Sequence, residues 1–77
     1  MQYRARIQLA DNILEHMKRQ NMSSKELAIR SKISITSISL YINGHREPSF
    51  ERLGAIARSL GVRVEDLLKG IRTEDML

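Results

Sequence analysis

Apolar side chains recur along this chain every three or four residues, the spacing that places them on one face of an α-helix. The first stripe consists of Ala10, Ile13, Leu14 and Met17. It predicts a helix that begins within residues 4–9. Four shorter stripes follow, within residues 27–28, 38–42, 53–60 and 65–69. The pattern therefore predicts an all-α, compact five-helix domain over residues 1–70, followed by a C-terminal tail over residues 71–77.

Polar residues that cap helices mark where the second and third helices begin. Ser23 is followed three residues later by Glu26, the capping-box pattern in which each side chain accepts a hydrogen bond from a backbone amide near the other. A helix should therefore begin at Ser24 and end near residues 31–32, and Ser34 should cap the next helix. The turn between them would have about three residues, which is the helix-turn-helix spacing.

The second helix of this motif has an inward stripe and an outer face. Ile38, Tyr41 and Ile42 form the stripe, and the Asn-Gly pair at residues 43–44 should end the helix. The side chains left free to contact a partner are Ile35, Thr36, Ser39, Leu40 and Asn43.

The C-terminal part of the chain predicts two more helices. Ser49 should cap helix 4, which Gly61 should end, and Gly70 should end a short helix 5 over residues 65–69. We expect residues 71–77 to be frayed unless a partner chain holds them at a dimer interface.

Together these residues resemble the helix-turn-helix of the phage Cro/repressor family, also called the Xre family of bacterial regulators. The resemblance covers residues 7–70, and it depends on the joint spacing of short motifs that are weak when taken singly. The matching residues are Ser23, Glu26-Leu27-Ala28, Ile33-Ser34, Ser37-Ile38-Ser39, Asn43-Gly44, Arg46-Glu47-Pro48-Ser49, Leu53, Ile56-Ala57, Leu60-Gly61-Val62 and Asp66-Leu67-Leu68. The resemblance implies a five-helix domain that binds operator DNA as a dimer, with the second motif helix in the major groove.

The resemblance also implies roles for individual side chains. Positions that read base edges in the family are occupied here by Ile35, Thr36, Ser39 and Leu40. Positions expected to contact phosphate are Ser24, Lys25, Ser37, Asn43, Gly44, His45 and Arg46. Positions expected at the dimer interface are Val64, Leu68 and Ile71. Because no base-reading position holds Arg, Gln or Asn, specificity should depend on thymine methyl contacts and on DNA shape.

Three departures from the family pattern carry structural expectations. Lys32 stands where the family commonly has Gly, so either Lys32 accepts a strain on the order of 1 kcal/mol at positive φ or the turn differs. Met17 and Ile42 occupy the slots of a partly buried Arg–Glu pair, and their joint apolar replacement predicts that they touch. Ser24 replaces a Gln that reaches a phosphate, although the backbone amide there can still face an anion.

The basic excess of the chain is unevenly distributed. Residues 1–48 hold eight basic and four acidic side chains, whereas residues 49–77 hold five of each, which accounts for the net charge of +4. A polyanion partner fits this distribution. On charge alone, an ordinary solvated surface fits it equally well.

Several function classes lack the residues they would need. The chain has no Cys and only two His, so no disulfide, thiolate nucleophile or metal-ligand spacing is expected. The serines have no base paired with them by any motif, so we expect neither an enzyme nor a cofactor. No apolar run reaches the roughly 20 residues of a membrane span, and a cytoplasmic, nucleoid-associated protein is expected.

The sequence therefore predicts a transcriptional regulator that binds double-stranded DNA. We expect a homodimeric repressor of a palindromic operator, from a phage, a prophage or a bacterial chromosome. Two alternatives remain open. The chain could be the antitoxin of a toxin–antitoxin pair, with a toxin or an inducer protein as partner. It could also be a protein-interaction module that uses Ile35, Leu40 and helix 5 without DNA.

Overall fold

The hydrophobic stripes fold into five α-helices and one short 3-10 helix in the computed structural model, which describes residues 1–76. The helices are α1 Tyr3–Arg19, α2 Ser24–Ser31, α3 Ile35–Ile42, α4 Phe50–Leu60, α5 Val64–Leu67 and the 3-10 helix Thr73–Met76. No strand occurs within these 76 residues. The predicted all-α fold with five helices is therefore confirmed.

Serine caps set the beginnings of α2, α3 and α4. The hydroxyls of Ser23, Ser34 and Ser49 accept hydrogen bonds from the amide three residues onward, at 3.1, 3.1 and 3.2 Å. Each such cap stabilises its helix by about 1 kcal/mol. The other half of the capping box predicted for α2 is not observed, because the Glu26 carboxylate pairs with Arg30 at 2.6 Å.

The core receives at least one fully buried side chain from every α-helix. These residues are Leu9, Ile13, Leu27, Ile38, Ile56 and Leu67. α1 packs against α3 and α5, and α4 packs against α2 and α5. The helix-turn-helix is thus held from one side by α1 and from another by α4.

The inward stripe of α1 is confirmed at Ala10, Ile13 and Met17, which are buried, and differs from the prediction at Leu14, which is 39% exposed. The buried face also includes Ala5 and Leu9. A residue one position after Ile13 is turned about 100° around the helix axis, away from that face. The helix also begins at Tyr3, before the predicted range of residues 4–9.

Residues 71–76 contact their own chain, whereas the sequence predicts a tail over residues 71–77 that is frayed unless a partner chain holds it. The 3-10 helix Thr73–Met76 packs against α1, and the Gln2 amide donates to the Asp75 carbonyl at 2.8 Å. Leu77 lies outside the described residues.

α5 is shorter than predicted and is positioned by α1. It spans Val64–Leu67 rather than residues 65–69, and the Asp66 carboxylate accepts from the Arg63 amide at 2.9 Å. The Asn12 side chain donates to the carbonyls of Leu67 and Lys69 at 2.7 and 2.8 Å. An amide group on α1 thereby satisfies the carbonyls that the end of α5 leaves without partners.

Two residues other than glycine adopt positive φ where helices end. Asn21 has φ 54° after α1, and Lys32 has φ 58° after α2. Lys32 therefore accepts the left-handed conformation, which settles the choice that the sequence left open. The strain costs on the order of 1 kcal/mol because Lys carries a Cβ.

Candidate nucleic-acid interface

The turn between α2 and α3 is built by one strained residue and one buried residue. Lys32, in the left-handed conformation, reverses the chain, and the Ile33 amide then donates to the Ala28 carbonyl at 3.1 Å. Ile33 is only 7% exposed, so its side chain anchors the turn to the core. Residues 32–34 form the turn, which confirms the predicted helix-turn-helix spacing.

The outer face of α3 carries the four side chains predicted to read bases. Ile38 and Tyr41 are buried, as predicted for the inward stripe. Ile35 is 51% exposed, Thr36 and Ser39 are also exposed, and Leu40 is half-buried. α3 therefore brings the predicted base-reading residues to a single accessible helix, with Leu40 nearest the core.

Ser39 and Asn43 form a pair at the C-terminal end of this face. The Asn43 amide nitrogen donates to the Ser39 carbonyl at 2.7 Å and to the Ser39 hydroxyl at 3.3 Å. A hydroxyl has one donor and two acceptor positions, so Ser39 keeps its own proton for a partner. Asn43, predicted to contact phosphate, thus also caps its own helix.

The loop after α3 presents His45 and Arg46 to solvent. Both side chains are exposed, and both backbone amides donate to the Leu40 carbonyl, at 2.9 and 3.3 Å. The amides already have partners inside the chain, so a contact from this loop to an anion would have to come from the side chains.

Gly44 is buried inside the same loop, at φ +73°. Its amide donates to the Tyr41 carbonyl at 3.2 Å, and a Cβ at this position would lie 2.5 Å from Ile7 Cδ1. The residue therefore lets the chain turn beside α1. Because its amide already donates to Tyr41, a phosphate would have to share that donor, and the predicted phosphate contact by Gly44 stays a prediction.

The other predicted phosphate contacts lie near the N-terminal ends of α2 and α3. Ser24 and Lys25 begin α2, where Ser24 is half-buried and Lys25 is exposed. Ser37 lies in the first turn of α3 and is half-buried. The unpaired amides of a helix N-terminus and the positive end of its dipole both favour an anion at such positions.

Arg52 connects α3 to α4 and was not among the residues singled out from the sequence. Its Nη1 donates to the Tyr41 hydroxyl at 2.7 Å and to the Ser37 hydroxyl at 3.3 Å. Ser37 also accepts from the Ser34 hydroxyl at 3.0 Å. One signal was available in the sequence, because a tyrosine on an inward stripe needs a partner for its hydroxyl. The position of Tyr41 does not indicate which residue forms the hydrogen bond with its hydroxyl.

The three predicted dimer residues are partly used by their own chain. Val64, Leu68 and Ile71 are half-buried and pack against the hydrophobic core of the same chain. The part of each side chain that remains accessible lies on α5 and the segment after it. A role in dimerisation stays a prediction.

The described part of the chain contains neither a membrane-spanning helix nor a cluster of metal-binding side chains. Within residues 1–76, no helix is long and apolar enough to cross a membrane. No group of three or more His, Cys, Asp or Glu side chains in that range could hold a metal ion.

Comparison with known proteins gives one family match and one similar curated protein. A helix-turn-helix family matches residues 13–67, which extend from α1 to the end of α5. The chain is 29% identical over 65 residues to the HTH-type transcriptional regulator DdrOP3 of Deinococcus deserti. The aligned region covers 84% of this chain and 50% of that relative, so the chain spans about half of the relative's length. No solved structure matches the chain significantly.

Proposed function

The chain belongs to the helix-turn-helix family, as its resemblance to the Cro/repressor domains predicted, and we propose that it is a transcriptional regulator that binds double-stranded DNA by sequence. We further propose that it acts in the cytoplasm as a homodimeric repressor of a palindromic operator. The observation that carries this proposal is the accessible face of α3, which the core leaves free. The Deinococcus relative is an HTH-type transcriptional regulator, which supports the same function.

In this proposal α3 enters the major groove and reads bases with a mainly apolar and hydroxyl-bearing face. The exposed Ile35 would pack on thymine methyl groups, and half-buried Leu40 would do so with the part of its side chain that the core leaves accessible. Thr36 and Ser39 would each make single hydrogen bonds to base edges. Because bidentate contacts are absent from this set, the remaining discrimination would come from the deformability of the DNA.

The phosphate contacts would flank this face on both sides. Ser24, Lys25 and Ser37 would contact the backbone from the beginnings of α2 and α3. Asn43, His45 and Arg46 would contact it from the end of α3 and the loop that follows. These contacts carry no sequence information, but they fix how deeply and at what angle α3 lies in the groove.

A homodimer would increase both the affinity and the specificity of such a small domain. Two copies related by a twofold axis would place their α3 helices in successive turns of the major groove, about 34–36 Å apart. Once one copy is bound, the second binds at a high effective concentration. Val64, Leu68 and Ile71 are the side chains we propose at the interface between copies, because their accessible parts lie outside the helix-turn-helix.

The test is a selection of bound duplexes from a random DNA pool at near-physiological salt. We expect an enriched palindrome whose half-site centres are about 10–10.5 base pairs apart, or a multiple of that spacing. An enriched site without twofold symmetry would contradict the homodimer. A pool that shows no enrichment, with binding that does not weaken as salt rises, would contradict DNA binding altogether, because phosphate contacts release counterions.

A further inference from the structure

Three neighbouring grooves form one surface across α2, the α2–α3 turn and the beginning of α4, which we name the α2–α4 surface. Its apolar residues are Ile29, Ile35 and Phe50. Its basic residues are Lys25, Arg30, Lys32, Arg52 and Arg58. Lys32 lines all three grooves, so they adjoin one another. The groove at the turn has a volume of about 510 Å³.

The apolar residues on this surface are exposed to a degree that the fold does not explain. Phe50 is 80% exposed, Ile29 68% and Ile35 51%. Together they make up half of the six large apolar side chains that are exposed within residues 1–76. Single exposed apolar residues are ordinary on a protein surface, whereas several that line adjoining grooves among charged residues indicate an interaction site.

The basic residues come together only in the folded chain. Arg52 and Arg58 belong to α4, and Arg30 and Lys32 belong to the end of α2 and the turn after it. Glu51 is the acidic residue that lines these grooves, and Glu26 pairs with Arg30 from α2. The surface therefore keeps an excess of positive charge beside its apolar residues.

We propose that the α2–α4 surface is the docking site of a partner protein segment that carries both carboxylates and apolar side chains. Carboxylates complement the surrounding Lys and Arg, and apolar side chains complement Ile29 and Phe50. The same surface of a second copy fits poorly, because a twofold contact would bring five basic residues against five. DNA fits the basic residues, but a phosphate backbone offers no apolar group to cover Phe50 and Ile29.

The docking site does not depend on the proposed function. The competition with DNA described next does rest on it. Lys25 and Ile35 belong both to the α2–α4 surface and to the proposed DNA interface. A partner that covers them would exclude DNA, and DNA would exclude the partner. The segment would therefore act as an antagonist that releases the regulator from its operator.

The experiment selects binders to the full chain, without DNA, from a phage-displayed library of random peptides. We expect the recovered peptides to combine Asp or Glu with Leu, Ile or Phe. A recovered peptide, synthesised and titrated into the isotopically labelled chain, should shift the NMR signals of Ile29, Lys32 and Phe50. Binding should weaken by about tenfold or more in Ile29→Glu and in Phe50→Glu, because each places a carboxylate against the incoming acidic segment.

The matched control is Tyr3→Glu, which changes an apolar residue that is 67% exposed on α1, outside the three grooves. This variant should bind the peptide as the parent does, and all three variants should unfold within a few degrees of the parent. Recovered peptides without acidic residues, or peptides that bind Ile29→Glu and Phe50→Glu as tightly as the parent, would overturn the proposal. A library that yields no binder would do so as well.

Failure of the docking site and failure of DNA binding are distinguishable. If the proposed function is wrong, the peptide still binds, but no duplex is selected and no competition occurs. If the surface instead contacts DNA, Ile29→Glu and Phe50→Glu weaken binding to all duplexes and the selection yields no acidic apolar peptide. That pattern would assign the surface to DNA and end the proposal of a protein partner.

Discussion

The hydrogen bond between Arg52 and Tyr41 joins α4 to α3. We predict that it orients α3, which a double-mutant cycle can test. The perturbations are Tyr41→Phe, Arg52→Met and the double variant. Tyr41 is 4% exposed, and its hydroxyl accepts from Arg52 Nη1 at 2.7 Å. Arg52 also donates to Ser37 at 3.3 Å, so the same guanidinium contacts α3 at two points.

The expected magnitudes follow from what each variant leaves without a partner. Arg52→Met leaves a largely buried tyrosine hydroxyl unsatisfied, which costs about 1–3 kcal/mol, and the lower end applies because Arg52 itself is solvent-exposed. Tyr41→Phe frees an arginine that water can solvate, so the cost should be about 0.5–1.5 kcal/mol. The double variant should lose less than the sum, by about 0.5 kcal/mol or more.

The assay for stability is thermal unfolding, in which 1 kcal/mol corresponds to about 4–8 °C for a domain of this size. Arg58→Met is the matched control, since Arg58 is an exposed arginine on the same helix, and its change should stay within about 0.5 kcal/mol. If Arg52→Met destabilises no more than Arg58→Met, or if the two single effects simply add, the hydrogen bond does not hold α3.

The same variants should separate orientation of α3 from contact with phosphate. Tyr41→Phe removes the hydrogen bond that we expect to orient α3, so it should lower the ratio of affinities for selected and scrambled duplexes. Because it changes no charge, the salt dependence of binding should stay the same. A Tyr41→Phe variant that keeps the parent's ratio would show that base reading does not need this hydrogen bond.

Three further predictions concern the turn, the loop and the reading face. Gly44→Ala should destabilise the fold by about 1–2 kcal/mol in thermal unfolding, because φ is +73° and the Ile7 side chain must move. An unchanged unfolding midpoint would show that this position does not need glycine. Lys32→Gly should raise the unfolding midpoint by a few degrees, and a fall would show that Lys32 is not strained. Arg46→Ala should weaken binding to all duplexes alike and reduce the slope of affinity against salt by about 1. Leu40→Ala should cost about 1–3 kcal/mol of binding free energy on the selected duplex only. If each variant shows the other's behaviour, Arg46 reads bases and Leu40 does not.

The helix boundaries that sequence reasoning placed correctly are those set by a local chemical signal. Ser23, Ser34 and Ser49 each precede a helix by one residue, and each hydroxyl caps the amide three residues onward. Gly61 ends α4 with φ +69°. These interactions involve residues that are close in the chain, so a sequence displays both partners together.

The features that sequence reasoning missed depend on partners that are distant in the chain. Residues 71–76 were expected to fray because nothing in their composition reveals that the Gln2 amide donates to Asp75. Arg52 was overlooked because its partner Tyr41 lies eleven residues earlier, on another helix. α5 ends at Leu67, before the predicted Lys69, and the carbonyls of these two residues accept hydrogen bonds from Asn12 on α1, more than fifty residues earlier in the chain.

The charge distribution shows the same limit at the level of the surface. Residues 49–77 hold equal numbers of basic and acidic side chains, so the sequence assigns the basic excess to residues 1–48, which contain α1 and the helix-turn-helix. In the fold, however, Arg52 and Arg58 lie beside Arg30 and Lys32. Not all the acidic residues of the C-terminal part lie on this surface, because Glu65 and Asp66 belong to α5 and do not line the three grooves. A sum along the chain therefore understates the field that a partner would meet.

Lys32 connects the strain of the turn with the chemistry of this surface. Its neighbours Ser31 and Ile33 are 8% and 7% exposed, so neither can present a group to a partner from the middle of the three grooves. Lys32 can, because the left-handed conformation that reverses the chain also leaves its side chain outside the core. Glycine would relieve the strain, but it would remove the cation that lines all three grooves. Strained residues cluster at binding sites, and the position of Lys32 on all three grooves agrees with the docking site proposed above.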